Sequence, residues 1–398
     1  MSVPWINGVQ LSQPTAGPLL LLGSSIGTSA AALWSDCAAM LGERFHVVAW
    51  DLPGHGRNTE PVSAGFTMAQ LAAGVLGLAD RVLTERGEPG GQVYYAGDSL
   101  GGAVGLQALL DAPDRIIAAV LLCTGAKIGD AEGWRDRAAR VRVSGTAVVV
   151  TQSAERWFAP GFLEREPQVG SRLLDSLQAA DPEAYALACE ALADFDVRSR
   201  LGEIAVPVLA VAGAEDIATA SELLGEIASG VQRGSLRILD GVAHLAPAEA
   251  PEEVAKLIIK HFDADRYAAG MQVRREVLGD SHVDRATAAA TDFTRDFQQL
   301  ITEYAWGAIW TRPGLDRRSR SMITLTALVA RGHHEELAMH VRAARTNGLS
   351  VEEIKEVLLQ SAIYCGVPDA NTAFRIAQAA LADEETTDPA RSTAEVDR

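Results

Sequence analysis

Gly97-Asp98-Ser99-Leu100-Gly101-Gly102 is the stretch of this sequence richest in potential chemistry. Its serine lies between closely spaced glycines, after the apolar run 93–96 and before a helical run through Leu110. That is the strand–turn–helix setting of a nucleophile elbow. The glycines suit a sharp turn with crowded backbone neighbours. The helix start beneath favours negative charge, and the Leu100 amide is placed to donate to an oxyanion. A serine hydroxyl is a poor nucleophile until a base takes its proton. Two later strand-like runs, 208–211 and 236–239, lead into Glu215-Asp216 and into Asp240 through His244. The order serine, acid, histidine makes Ser99 the expected nucleophile, His244 its base and Asp216 the carboxylate that orients the imidazole. Glu215 is the rival acid. A second oxyanion donor is expected from the loop after the first strand, as the amide of Ser25 or Ile26. His55 reads as a turn residue.

These residues need a scaffold that brings strand ends together. Residues 1–262 alternate short apolar runs (18–22, 47–50, 93–96, 118–122, 208–211 and 236–239) with helical stretches. Near-continuous apolar strands separated by helices imply a parallel sheet covered on both faces. Between about 130 and 196 the text turns helical, with Trp134, Trp157, Phe158 and several arginines. Such an insertion is expected to cap the strand ends, where open α/β sheets bind ligands.

After an amphipathic helix at 251–262, residues 267–382 carry helical periodicity and no convincing strand. Phe293, Phe297, Leu300, Ile301 and Tyr304 form an apolar stripe in this region. Asp316 is expected to cap a helix through Ala330, and a further helix covers 335–346 before Asn347-Gly348. Ser350 through Glu353 is a capping box that opens another. Residues 383–398 are polar and expected to be a disordered tail. Two domains joined near 263–268 follow from this pattern.

A net charge of −17 argues against a nucleic-acid partner. No run approaches the roughly 20 apolar residues of a membrane helix, and no signal peptide is evident, so a cytoplasmic protein is expected. Cys37, Cys123, Cys189 and Cys365 are scattered, without a C-x-x-C pair, and read as core residues in a reducing compartment. No metal or other cofactor is expected.

The Leu22 through Thr28 loop, the Gly54-His55-Gly56-Arg57 turn, the elbow and the Glu155-Arg156-Trp157-Phe158 stretch resemble the 3-oxoadipate enol-lactone hydrolases over residues 10–262. The resemblance implies an α/β-hydrolase fold with a helical cap. It also implies opening of a five-membered enol-lactone through an acyl-enzyme at Ser99. Such a substrate carries a carboxylate, so the cap should offer a cation, from among Arg135, Arg137, Arg140 and Arg156. Trp134 is placed to pack either on the lactone ring or within the cap.

Residues 267–381 resemble the 4-carboxymuconolactone decarboxylases, an all-helical family of alkyl hydroperoxidase-like fold. The resemblance rests on Asp316 through Ser321, Glu335 through Ala344, Glu352 through Leu359 and Tyr364 through Pro368. Cys365 stands alone, which argues against a dithiol peroxidase. The implied decarboxylation needs only dienolate stabilisation and one proton delivered to carbon. His340 is the expected donor, if it is not a packing residue; Glu356 is a second candidate, and Arg317, Arg318 and Arg320 are candidate carboxylate binders. The two implied reactions are consecutive in aromatic-acid (β-ketoadipate) catabolism. A small lactone carboxylate is thus the expected partner molecule, and a homo-oligomer through the helical domain the expected assembly. The competing reading is a general esterase or perhydrolase with a catalytically silent helical assembly module.

Overall fold

The computed structural model describes residues 3–62, 64–312 and 314–387. The chain divides into two compact units, Met1–Phe262 and Asp263–Arg398.

In the first unit the apolar runs become the strands of a seven-stranded sheet. These are β1 (Asn7–Gln10), β2 (Leu19–Gly23), β3 (His46–Asp51), β4 (Val93–Asp98), β5 (Ile116–Leu122), β6 (Pro207–Gly213) and β7 (Arg233–Leu239). Their order is β1-β3-β2-β4-β5-β6-β7. Every neighbour pair is parallel except β1 with β3. The strand β1, Asn-Gly-Val-Gln, escapes a hydrophobic reading because it is a short edge strand with mostly polar residues. Strands β2, β3, β4 and β6 are buried along their whole length. Helices α1 (Ala30–Leu41), α2 (Met68–Glu85), α3 (Leu100–Asp111), α9 (Ser221–Gly230) and α10 (Ala246–Glu249) belong to this frame.

Between β5 and β6 the chain is helical: α4 (Ala131–Ser144), a short 3-10 turn (Thr146–Val149), α5 (Val150–Trp157), α6 (Phe162–Arg165), α7 (Pro167–Ala179) and α8 (Pro182–Ala193). Helices α4 and α8 are tied by Arg142, which pairs with both Glu183 and Glu190.

Helix α11 (Pro251–Leu278) carries the chain into the second unit. There follow α12 (Asp280–Ala288), α13 (Arg295–Ile301), a π-helix (Thr302–Ile309), α14 (Arg317–Arg331), α15 (His334–Thr346), α16 (Val351–Cys365) and α17 (Val367–Thr387). The cap residues act as their types require. The Asp316 side chain accepts from the Ser319 amide at 2.8 Å, and the Ser350–Glu353 capping box is closed in both directions. The main core of this unit gathers Leu325, Val329, Leu337, Val341, Ile354, Leu358 and Ala373. A second cluster joins Val273, Val277, Trp306 and Ala343.

The apolar stripe running along and beyond α13 faces outward: Phe293 is 95% exposed, and Phe297, Leu300 and Tyr304 are exposed too. The opposite face, with Thr302 and Trp306, is the buried one. One expectation needs correction: residues 383–387, expected in the tail, are helical, because α17 runs to Thr387 through Ala and Glu residues of good helix propensity. Residues 388–398 lie outside the described residues. Among the described residues no helix is long and apolar enough to cross a membrane, and no cluster of three or more His, Cys, Asp and Glu could hold a metal ion. All four cysteines are free.

Candidate active site

Register alone places the elbow. Gly23 at the end of β2 is paired with Gly97 near the end of β4, so the loop after β2 and the turn after β4 emerge side by side. Ser99 sits between β4 and α3 with φ 53° and ψ −116°, one of two non-glycine residues with positive φ among those described. Such a conformation costs about 1–3 kcal/mol and persists only where the surroundings enforce it. They do so by close approach. A β-carbon at Gly101 would lie 2.4 Å from the Gly23 carbonyl carbon, and one at Gly97 would lie 2.4 Å from the Gly101 oxygen. The Tyr95 hydroxyl donates to that same oxygen at 2.6 Å, and the Gly101 amide donates to the Ser24 carbonyl at 3.1 Å.

Three residues far apart in sequence then meet. His244 Nε2 is 2.9 Å from Ser99 Oγ, and His244 Nδ1 is 2.9 Å from Asp216 Oδ2. All three are buried. Burial opposes a charge on His244, but the Asp216 carboxylate outweighs it and holds the imidazole above its ordinary pKa. Burial likewise opposes the Asp216 charge; His244 and the Thr219 hydrogen bonds prevail and hold that carboxyl below its ordinary value. Thr219 was not foreseen. Its hydroxyl donates to Asp216 Oδ2 at 2.6 Å, while the Ala218 and Thr219 amides both donate to Oδ1. The sequence signal for it is an Asp followed three residues later by Thr, an Asx-turn pattern. Glu215, the rival acid, is exposed.

Leu100 is the first residue of α3, where an amide has no acceptor within the helix. Ser25 and Ile26 are buried in the loop after β2. The Ser25 hydroxyl is bonded to Asp98, the residue before the nucleophile, so loop and elbow are pinned to each other. Burial pushes the Asp98 carboxyl up to about 8, against the opposing pull of His244 and Ser25. His55 is a turn residue: its Nδ1 contacts the Pro53 carbonyl at 2.9 Å, and its ring stacks on Tyr185 of the cap.

Within the cap, Trp134 donates to the Ile128 carbonyl at 2.6 Å and lines a cavity of about 330 Å³ with Arg137, Arg140, Arg156 and Ala218. Ala218 stands two residues from Asp216, whereas Ser99 is not part of the cavity wall. The structure separates the candidate cations. Arg135 pairs with Asp194, and Arg137 donates to the Tyr185 hydroxyl and to Ser153. Arg156 has no carboxylate partner among the described residues. Burial and Arg137 depress its pKa, while Asp216 acts on it in the opposite sense and His244 feels its charge.

In the helical unit His340 is half-buried on α15. Burial holds its pKa below the ordinary value, with Glu336 opposing and His282 assisting. No hydrogen bond joins Glu356 to it among the described residues. Helix α16 buries Ile354, Leu358 and Ser361, which leaves Glu356 and Gln360 on the exposed face with Tyr364. The candidate carboxylate binders are engaged as well: Arg317 with Glu276, Arg318 with Glu353 and the Gly348 carbonyl, and Arg320 with the Leu315 and Arg312 carbonyls.

Residues 16–257 match the model of the alpha/beta hydrolase family, and residues 295–379 that of the carboxymuconolactone decarboxylase family. The chain belongs to both families. Over 249 residues it is 31% identical to 3-oxoadipate enol-lactonase 2 of Acinetobacter baylyi, covering 62% of this chain and 90% of that protein. Over 121 residues it is 44% identical to 4-carboxymuconolactone decarboxylase of the same organism, covering 30% of this chain and 90% of that protein. The crystal structure of the enol-lactonase from Burkholderia xenovorans superposes with a TM-score of 0.59 at 28% identity, over 65% of this chain and 96% of that one. The chain is therefore a fusion of an enol-lactonase homologue with a carboxymuconolactone decarboxylase homologue.

Proposed function

We propose that this fused alpha/beta hydrolase and decarboxylase homologue performs two consecutive reactions of β-ketoadipate catabolism. The helical unit decarboxylates 4-carboxymuconolactone, and the hydrolase unit opens the resulting enol-lactone to 3-oxoadipate. The observation that carries the hydrolytic half is the Ser99–His244–Asp216 relay, with both hydrogen bonds at 2.9 Å. The decarboxylase half rests on the match to 90% of a 4-carboxymuconolactone decarboxylase at 44% identity.

In the hydrolytic reaction Ser99 Oγ attacks the lactone carbonyl while His244 takes its proton, and Asp216 stabilises the imidazolium. The Leu100 amide, with that of Ser25 or Ile26, receives the charge on the carbonyl oxygen. Collapse breaks the ring C–O bond. The enol oxygen leaves with the proton from His244 and tautomerises to the ketone. Water, deprotonated by His244, then releases the acyl group from Ser99. Arg156, half-buried in the cavity wall and without a carboxylate partner among the described residues, holds the substrate carboxylate, and Trp134 packs against the ring.

For decarboxylation, loss of carbon dioxide leaves electrons delocalised onto the lactone carbonyl, and His340 supplies the proton to carbon. The exposed stripe Phe293, Phe297, Leu300 and Tyr304 supports self-association through the helical unit. Four free cysteines fit a reducing, cytoplasmic setting.

The test is to supply 4-carboxymuconolactone to wild type and Ser99→Ala and quantify both products. Wild type should deliver 3-oxoadipate, and the variant should stop at the enol-lactone. Absence of decarboxylation by wild type removes that half of the proposal; turnover of simple aryl esters without enol-lactone hydrolysis favours the general esterase.

A further inference from the structure

Arg274 is a cation of the helical unit that lacks an anion. It lies on α11 and is only 6% exposed. Taking a guanidinium out of water is costly unless a counter-charge and hydrogen bonds replace the lost hydration. Here the replacements are neutral and incomplete. Nη1 donates to Thr302 Oγ1 at 3.1 Å and Nη2 to Gln298 Oε1 at 3.0 Å, while the buried Nε has no partner. No carboxylate pairs with it among the described residues. Arg317 and Arg318 differ in having carboxylate partners, Glu276 and Glu353, and Arg320, only half-buried, is held by two backbone carbonyls.

The backbone holds Arg274 in place. One turn before it, Gly270 allows α11 to press onto the π-helix: a β-carbon there would be 2.1 Å from the Thr302 carbonyl oxygen. Gly307 reciprocates, with a β-carbon position 2.3 Å from the Arg266 oxygen. The same contact packs Val273 and Val277 with Trp306 and with Ala343 of α15. A π-helical turn is a feature often found at functional sites. Two imidazoles complete the cluster. Burial holds His282 below its ordinary pKa, and the charges of Arg274 and Arg285 add to that effect. His282 in turn acts on His340, one turn before Ala343.

We propose that Arg274, backed by Thr302 and Gln298, is the anion anchor of the helical unit and binds a carboxylate that the substrate retains. The inference rests on the reading of this unit as a decarboxylase. The retained carboxylate is the one that benefits. A carboxylate leaving as carbon dioxide loses its charge on the way to the transition state, so a buried cation on it would stabilise the ground state more and slow the reaction. A carboxylate that stays keeps its charge throughout. Its binding is uniform, and its loss should appear in KM and not in kcat.

The full-length chain and its Arg274→Gln and Arg274→Lys variants, with helicity and melting temperature recorded, provide the test. Arg274→Gln should raise KM for 4-carboxymuconolactone roughly 10- to 100-fold, as loss of a charged hydrogen-bonded contact does. Its kcat should stay within about threefold, as uniform binding requires. Arg274→Lys should recover part of the KM. If the Gln variant does not fold, the Lys variant decides by the same split. Succinate, as a non-reacting dicarboxylate titrated calorimetrically, should bind wild type and lose its affinity in Arg274→Gln. Succinate binding that depends on Arg274 in a chain that does not decarboxylate leaves the anchor standing and removes the decarboxylase reading. Unchanged KM with unchanged succinate binding overturns the proposal, and so does a fall in kcat at constant KM.

Discussion

The two units differ in how much of their site is complete within the chain. In the hydrolase unit every polar group of the relay has a partner: Ser99 has His244, His244 has Asp216, and Asp216 has Thr219 and two backbone amides. In the helical unit Arg274 lacks an anion, His340 stands half-buried near His282, and an apolar stripe is uncovered. The first arrangement pre-organises a reaction that develops charge on a neutral ester. On the reading proposed above, the second takes its counter-charge from an anionic substrate and the cover for its apolar surface from a second copy. Preorganisation in one unit and incompleteness in the other are thus two ways of spending fold stability on function.

The contrast can be broken most forcefully at the relay. Ser99→Ala or His244→Ala should lower kcat for lactone hydrolysis by at least about 10⁴-fold, and Asp216→Asn by a similar factor. Decarboxylation, followed as carbon dioxide release, should persist in all three. A residual hydrolysis near wild-type level in any of them would show that the relay is not the working machinery. Next in size is His340→Gln, expected to slow carbon dioxide release about 10²-fold or more, as loss of a general acid does, with lactone hydrolysis retained. Release at the wild-type rate assigns His340 to packing.

A smaller effect belongs to Thr219. Thr219→Val removes a hydroxyl that supports Asp216, and kcat for hydrolysis should fall about tenfold, the value of one hydrogen bond to a charged group. The pH profile sharpens the same point. His244 acts as a base only when neutral, and the Asp216 carboxylate holds its pKa above the ordinary imidazole value. Hydrolysis should therefore decline as pH falls through that raised value. Weakening Asp216 with Thr219→Val should move the acidic limb to lower pH; an unmoved limb would mean that Thr219 does not act through the carboxylate.

The smallest effect on catalysis is expected at the stripe. Phe293→Ser combined with Phe297→Ser should shift sedimentation toward smaller species and leave the rate of lactone hydrolysis unaltered. An unchanged sedimentation profile would deprive the stripe of its assembly role.

The same contrast explains what could be read from the residues. Buried parallel strands announce themselves as apolar runs, and an elbow needs glycines at fixed places, so β2 through β6 and Ser99 are legible in the sequence, while β7, exposed over most of its length, shows only as the run 236–239. His244 and Asp216 followed because they stand at strand ends in order. The strand β1 was hidden by its polar, edge-type sequence. Arg274 was hidden for another reason. In an amphipathic helix an arginine followed by a second one reads as solvated, and its burial arises only from the approach of α11 to the π-helix at Gly270 and Gly307. The stripe of α13 was legible as a stripe but not as an outward one, because periodicity gives the existence of an apolar face and not its occupant. Glu356 and Tyr364 share a side of α16, as their spacing implies, and that side is the exposed one because the core takes the other.

The most direct test of the account is rapid quenching of wild-type protein during enol-lactone turnover, followed by peptide mass analysis. A ring-opened acyl group that retains every atom of the lactone is expected on the Ser99 peptide, and is expected to be absent in Ser99→Ala. Full turnover by Ser99→Ala, or an acyl group on a different residue, would contradict it.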